Sequence, residues 1–148
     1  MTPSPSSRLK QLITQTRVAH LATADANGIP HIVPICFVYD GTCLYSVIDR
    51  KPKRGNGLNL KRVQNILANP RVSLLLDHYE ENWDRLWYVL INGDAEILQG
   101  GQEHNEAIGL LRQKYPQYRK MAIEDRPVIR VRPIRIVSWG DPPEALTP

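Results

Sequence analysis

With 148 residues, 42% of them hydrophobic and 23% charged, the chain has the size and composition of one globular domain that buries its core without disulfide or metal staples. No apolar run approaches the roughly 20 residues needed to cross a bilayer, and the polar start MTPSPSSRLK lacks the apolar segment of a secretory signal. A soluble, cytoplasmic protein is therefore expected. The net charge of +4 is concentrated: Arg50 to Arg62 holds six of the nineteen basic residues and no acidic one, which favours one anion-binding site over a wholly basic nucleic-acid surface.

Residues 1–7 are rich in Pro and Ser and read as a flexible start. Ser6 or Ser7 can cap a helix over 7–16, in which Leu9, Leu12 and Ile13 form an i, i+3, i+4 stripe. Strands are predicted over 17–24, 29–39 and 42–49, rich in Val, Ile, Tyr and Thr. Asp25-Ala26-Asn27-Gly28 and Asp40-Gly41 separate them with residues that tolerate the positive φ of tight turns. Pro30 and Pro34 cannot donate to a ladder, so one side of the second strand is expected to be unpaired or bulged. Leu58 to Ala68 reads as a helix with Leu60, Val63, Ile66 and Leu67 on its buried face, ended by Asn69-Pro70.

Strands over 72–79 and 86–98, a helix over 102–114 behind Gly100-Gly101, and a strand over 127–139 complete the pattern. Residues 8–140 thus form one domain, followed by an irregular tail over 141–148. The fold class is mainly β with short flanking helices, an antiparallel arrangement of about six strands that closes or nearly closes into a barrel.

The densest chemistry lies where the third strand leads through Arg50, Lys51, Lys53 and Arg54 into the helix bearing Lys61 and Arg62. A loop entering a helix offers unpaired N–H groups and the positive end of the macrodipole, and these cations add to that field, so phosphate is the expected ligand. The alternative is a solvated charge run. RGNGLNLKR matches neither the phosphate-binding loop G-x-x-x-x-G-K-[ST] nor the dinucleotide fingerprint G-x-G-x-x-G.

Four histidines lack metal-ligand spacing, Cys36 and Cys43 form no C-x-x-C and read as reduced packing residues, and no serine sits in G-x-S-x-G. Tyr79, Trp83, Trp87 and Tyr88 point to core packing or a subunit interface, or to a stacking wall for a planar ligand. RNA stacking would require them to share a face with the basic loop.

The run LATAD-x-x-G-x-P-H-x-V-P-x-C-F-x-Y-D-G, then Leu44-Tyr45-Ser46, the basic loop, Asn65-Ile66, Asn69-Pro70-Arg71-Val72-Ser73-Leu74 and the closing R-V-R-P-I-R-I-V-S-W-G resembles the pyridoxamine-5′-phosphate-oxidase-like flavin-binding split barrels. Within them it is most similar to the small deazaflavin-dependent branch, over about residues 8–140. The resemblance implies a six-stranded split barrel, a homodimer, and FMN or the deazaflavin coenzyme F420 bound between subunits.

Carried onto this chain, the resemblance implies that His31, Val33, Pro34 and Ile35 border the ring, Ser46 and Val47 lie opposite, and Lys51, Lys53, Lys61 and Arg62 hold phosphate. Many relatives carry Lys-x-x-Asn where this chain has Arg62-Val63-Gln64-Asn65, and arginine can still grip phosphate bidentately. The function implied is hydride transfer between bound cofactor and a small organic substrate, a reaction in which the cofactor carries the chemistry and no catalytic side chain need exist. The alternative is a non-catalytic module that binds or stores flavin, haem or a related tetrapyrrole. Pyridoxamine-5′-phosphate oxidase activity itself is a minor alternative, because Arg130-Val131-Arg132-Pro133-Ile134 only loosely echoes that enzyme's terminal substrate segment.

Overall fold

The structure, a computed structural model, describes residues 3–49 and 57–140. The chain runs through α1 (Ser7–Gln15), β1 (Ala19–Ala24), β2 (Pro30–Ile35), β3 (Val38–Tyr39), β4 (Leu44–Val47), α2 (Lys61–Ala68), β5 (Arg71–His78), β6 (Trp87–Leu98), α3 (Gln102–Lys114) and β7 (Val128–Gly140). Short 3-10 turns at Trp83–Arg85 and Pro116–Lys120 complete it. The strands make one antiparallel sheet in the order β2-β1-β5-β6-β7-β4-β3. It curls so far that its two edge strands, β2 and β3, are consecutive in the chain.

That curl corrects the expected strand number from six to seven. The predicted strand over 29–39 breaks at Cys36-Phe37: its first half pairs with β1 (Ala19 opposite Ile35) and its second with β4 (Val38 opposite Tyr45). One extended segment cannot serve both edges without a bend, and the bend is where the barrel is split. Pro30 and Pro34 lie on β2, an edge strand, where a missing donor on the outer side interrupts no ladder.

The turns follow the sequence. Asp25 Oδ1 accepts the N–H groups of Asn27 and Ile29, both at 2.9 Å, and Gly28 takes φ +79°. Asp40 Oδ1 does the same for Thr42 and Cys43, with Gly41 at φ +96°. The Ser6 hydroxyl oxygen accepts the Leu9 N–H at 3.2 Å and caps α1 as predicted. Helix α2 starts at Lys61 instead of Leu58, because Gly57 at φ +96° and extended Leu60 hold the preceding residues in a turn.

The hydrophobic alternation of β7 changes phase midway, from Ile129 and Val131 to Ile136. A bulge resolves the conflict: Gly93 pairs with Pro133 and Asn92 with Arg135, leaving Ile134 as the extra residue. Ile136 is thereby returned to the barrel interior beside Ile91. At Gly93 a Cβ would stand 2.6 Å from the Arg132 carbonyl oxygen, so only glycine fits.

Two cores result. The barrel interior packs Leu21, Phe37, Leu44, Ile48, Leu74, Leu76, Val89, Ile91 and Ile129 with Leu12 and Ile13 of α1 and Val63 and Ile66 of α2. Each such side chain contributes about 1.5–3 kcal/mol on burial. A second core joins Val38, Tyr45 and Val47 to Ala107, Ile108 and Leu111 of α3 and to Tyr115, Tyr118 and Ile123 beyond it. Every residue of β4 is therefore buried, one face in each core.

Candidate functional site

A cavity of about 410 Å³ opens where β2 and β4 diverge around the Cys36-Phe37 break. Val33, Pro34 and Ile35 form its β2 wall, Ser46 and Val47 its β4 wall, and Arg62 projects into it from the first turn of α2. Val18, Cys36, Asp49 and Tyr118 complete the lining.

The break leaves backbone groups without ladder partners, and burial makes such groups costly unless side chains satisfy them. The Phe37 N–H donates to the Tyr115 hydroxyl oxygen at 3.1 Å. That hydroxyl in turn lies 2.7 Å from the Arg17 carbonyl and 2.9 Å from the Phe37 carbonyl. Lys114 Nζ donates to the carbonyls of Thr16 at 2.6 Å and Phe37 at 2.9 Å, and sits 4.1 Å from the centre of the Phe37 ring. Burial, and then the neighbouring Arg17 charge, pull the Lys114 ammonium down to about 8. Burial pushes Tyr115 up to about 12. On the cavity side Ser46 Oγ donates to the Cys36 carbonyl at 2.8 Å.

Two of the polar lining groups are joined: Tyr118 donates its proton to Asp49 Oδ2 at 2.7 Å, and Cys36 lines the same cavity. Burial raises the thiol, and the Asp49 charge raises it further, so Cys36 stays protonated and unreactive. Tyr118 is held far above the usual phenol range by burial and by its bond to Asp49. Both cysteines are free, as expected.

Six of the ten residues singled out from sequence meet at this cavity: Val33, Pro34, Ile35, Ser46, Val47 and Arg62. His31 shares the face of Val33 and Ile35 but lies opposite Thr23, one pleat beyond the lining. Lys61 is exposed and pairs with Asp25 at 3.8 Å, because adjacent helical residues point about 100° apart. Lys51 and Lys53 lie outside the described residues. Val18, Cys36, Asp49 and Tyr118 were not anticipated: Tyr118 arrives from a turn after α3, and Asp49 stands just before the basic run with no local signal of its own.

The aromatic cluster divides. Trp87 is buried and stacks on His78 with centroids 6.2 Å apart, whereas Tyr88 stacks on Trp139 at 5.6 Å on the outer face of the sheet. Tyr79 and Trp83 are exposed. Among the described residues, no group of three or more His, Cys, Asp or Glu is placed to hold a metal ion, and no helix is long and apolar enough to cross a membrane.

Comparison with curated protein sequences gave no match. A conserved hypothetical protein of Mycobacterium tuberculosis superposes with a TM-score of 0.74 at 21% identity, covering 94% of this chain and 86% of that one. An F420 reductase superposes with a TM-score of 0.63 at 22% identity, covering 90% and 98%. The haem storage protein HutZ of Vibrio cholerae superposes with a TM-score of 0.65 at 16% identity, covering 95% of each chain. At these identities the likeness establishes the shared split-barrel fold. The family described as Pyridoxamine 5'-phosphate oxidase matches residues 6–140, spanning the bent second strand, the cavity walls and the closing strand, and the chain belongs to that family.

Proposed function

We propose that the cavity between β2 and β4 binds the ring of FMN or of the deazaflavin coenzyme F420, and that the protein is a cytoplasmic oxidoreductase acting on a small organic substrate. The cavity carries this reading: about 410 Å³ with largely aliphatic walls on two sides and a guanidinium at one end suits a flat tricyclic ring with an anionic tail. Such a ring, when bound, supplies hydride donation and acceptance.

In this assignment Val33, Pro34 and Ile35 border the ring, Ser46 and Val47 face it, and Arg62 grips phosphate as a bidentate donor. His31, Lys51, Lys53 and Lys61 are assigned to its surroundings and its charged tail. The protein's own part is to hold and orient the ring and keep water from its apolar face. A homodimer completes the site. Supporting it, Ile32 (64% exposed), Ile134 (43%) and Trp139 (52%) leave apolar surface on the sheet that one chain does not cover. Sedimentation velocity tests this, with a monomer at micromolar concentration counting against it.

Spectral titration of the purified protein with FMN and with the deazaflavin tests the cofactor reading, and saturable binding of one of them is the expected result. The haem-storage likeness favours a second reading, a non-catalytic haem or tetrapyrrole carrier. Steady-state turnover separates the two, since a carrier binds ligand yet passes no hydride to acceptors.

A further inference from the structure

Besides Arg62 and the Cys36 thiol, the polar lining of the cavity is made of hydroxyls whose protons are committed inside the protein and of a carboxylate. Ser46 Oγ–H is directed to the Cys36 carbonyl, and the Tyr118 hydroxyl proton is directed to Asp49 Oδ2. A hydroxyl that has donated its proton offers only lone pairs elsewhere, and a carboxylate has no proton to offer. Toward the cavity, Ser46, Tyr118 and Asp49 therefore present acceptors. Tyr118 holds Asp49 Oδ2 at the cavity wall, and each carboxylate oxygen has lone pairs beyond that one bond with which to accept from an occupant.

Resting on the cofactor reading of this cavity, we propose that Asp49, positioned by Tyr118, is the specificity-determining residue that accepts a hydrogen bond from a ring N–H of the ligand. The ligand class is a heteroaromatic ring with an imide-type N–H on its edge. The same edge rejects haem, whose pyrrole nitrogens are taken by iron and whose rim carries alkyl groups and carboxylates. None of those can donate, and the carboxylates would meet Asp49 as a like charge. Arg62 and the acceptor edge thus read different parts of one ligand, its anionic tail and its N–H.

The test is fluorescence titration of the full chain with FMN and with the 5-deazaflavin coenzyme, each beside its N3-methyl derivative, and with haem. N3-methylation should weaken binding about tenfold or more, the worth of a lost hydrogen bond to a charged acceptor. Asp49→Asn should weaken the parent ligand and shrink the methylation penalty to below about threefold, while haem affinity stays level or rises with removal of the charge. Tyr118→Phe, which frees the carboxylate to rotate, should give an intermediate penalty. Circular dichroism and thermal midpoints check that both variants fold. Equal affinity for parent and methylated rings in the unaltered protein would overturn this inference alone. Saturable binding of haem with none of either flavin would overturn the cofactor reading, and the inference with it.

Discussion

The two halves of the barrel are held together differently. Across β1, β5, β6 and β7 the backbone satisfies itself: β5 pairs with β6 over eight positions from Arg71 to His78, and β6 with β7 over twelve. At the Cys36-Phe37 break the ladder stops, and Ser46, Lys114 and Tyr115 supply the missing partners from β4 and the end of α3. In the first half side chains are free to fill the core. In the second they bond the backbone, and the cavity opens beside them. A hollow of the same volume, about 410 Å³, also lies against the paired strands, walled by Thr23, Val72, Ser73 and Asn92, but the one at the split is lined by residues of β2 and β4 on either side of the break, among them Ser46, which bonds the Cys36 carbonyl.

The sharpest contrast comes from truncating one side chain in each half. Leu74→Ala, in the fully paired interior, should cost about 2–5 kcal/mol in urea denaturation through lost burial and a cavity. Flavin affinity should change little below the unfolding transition. Tyr115→Phe should cost about 1–3 kcal/mol, because the buried Phe37 N–H loses its acceptor. It should also weaken ligand binding, since Cys36 and Phe37 shape the cavity. If Tyr115→Phe were neutral in both respects, the break would be held by packing alone.

Lys114 gives a pH signature to the same region. Its ammonium titrates near pH 8 in the folded chain against 10.5 for an unperturbed lysine. Between those values the unfolded chain holds a proton that the native state has released, so stability rises with pH across the window, by up to about 1 kcal/mol per unit. Lys114→Met should flatten that rise relative to the parent protein between pH 8 and 9, as measured by denaturation at fixed ionic strength. A parallel pair of curves would count against a buried Lys114.

The adjacent cations of α2 provide the smallest test on stability and a clear one on binding. Lys61→Ala removes an exposed ion pair with Asp25 and should shift stability by less than about 0.5 kcal/mol. Arg62→Ala should weaken FMN about tenfold while leaving riboflavin, which lacks the phosphate, nearly unchanged. Equal losses for FMN from the two substitutions would show that phosphate is held at the helix start in general and not by the cavity-facing guanidinium.

Much of this architecture is written in short-range terms. Asp25, Gly28, Asp40 and Gly41 specify two hairpin turns through side-chain acceptors and positive φ. Ser6 caps α1, the stripes of α1 and α2 name Leu12, Ile13, Val63 and Ile66 as core, and Pro30 with Pro34 marks an edge strand, whereas Leu67, expected on the buried face of α2, is 61% exposed. The order of motifs from Leu21 to Leu76 pointed to Val33, Pro34, Ile35, Ser46, Val47 and Arg62, which line one cavity in the fold.

Only the tertiary structure decided where the predicted second strand bends, because Cys36-Phe37 carries no breaker residue and its distortion is imposed by closing a curled sheet on itself. It also decided that Lys61 and Arg62 part company, and that Tyr118, from the far side of α3, meets Asp49 and Cys36. The Tyr118–Asp49 and Tyr115–Phe37 hydrogen bonds join residues 69 and 78 positions apart, and they exist only once two cores have packed on opposite faces of β4. Local propensity sets turns, caps and alternation. The composition of a cavity is set by which distant surfaces the packed cores bring face to face.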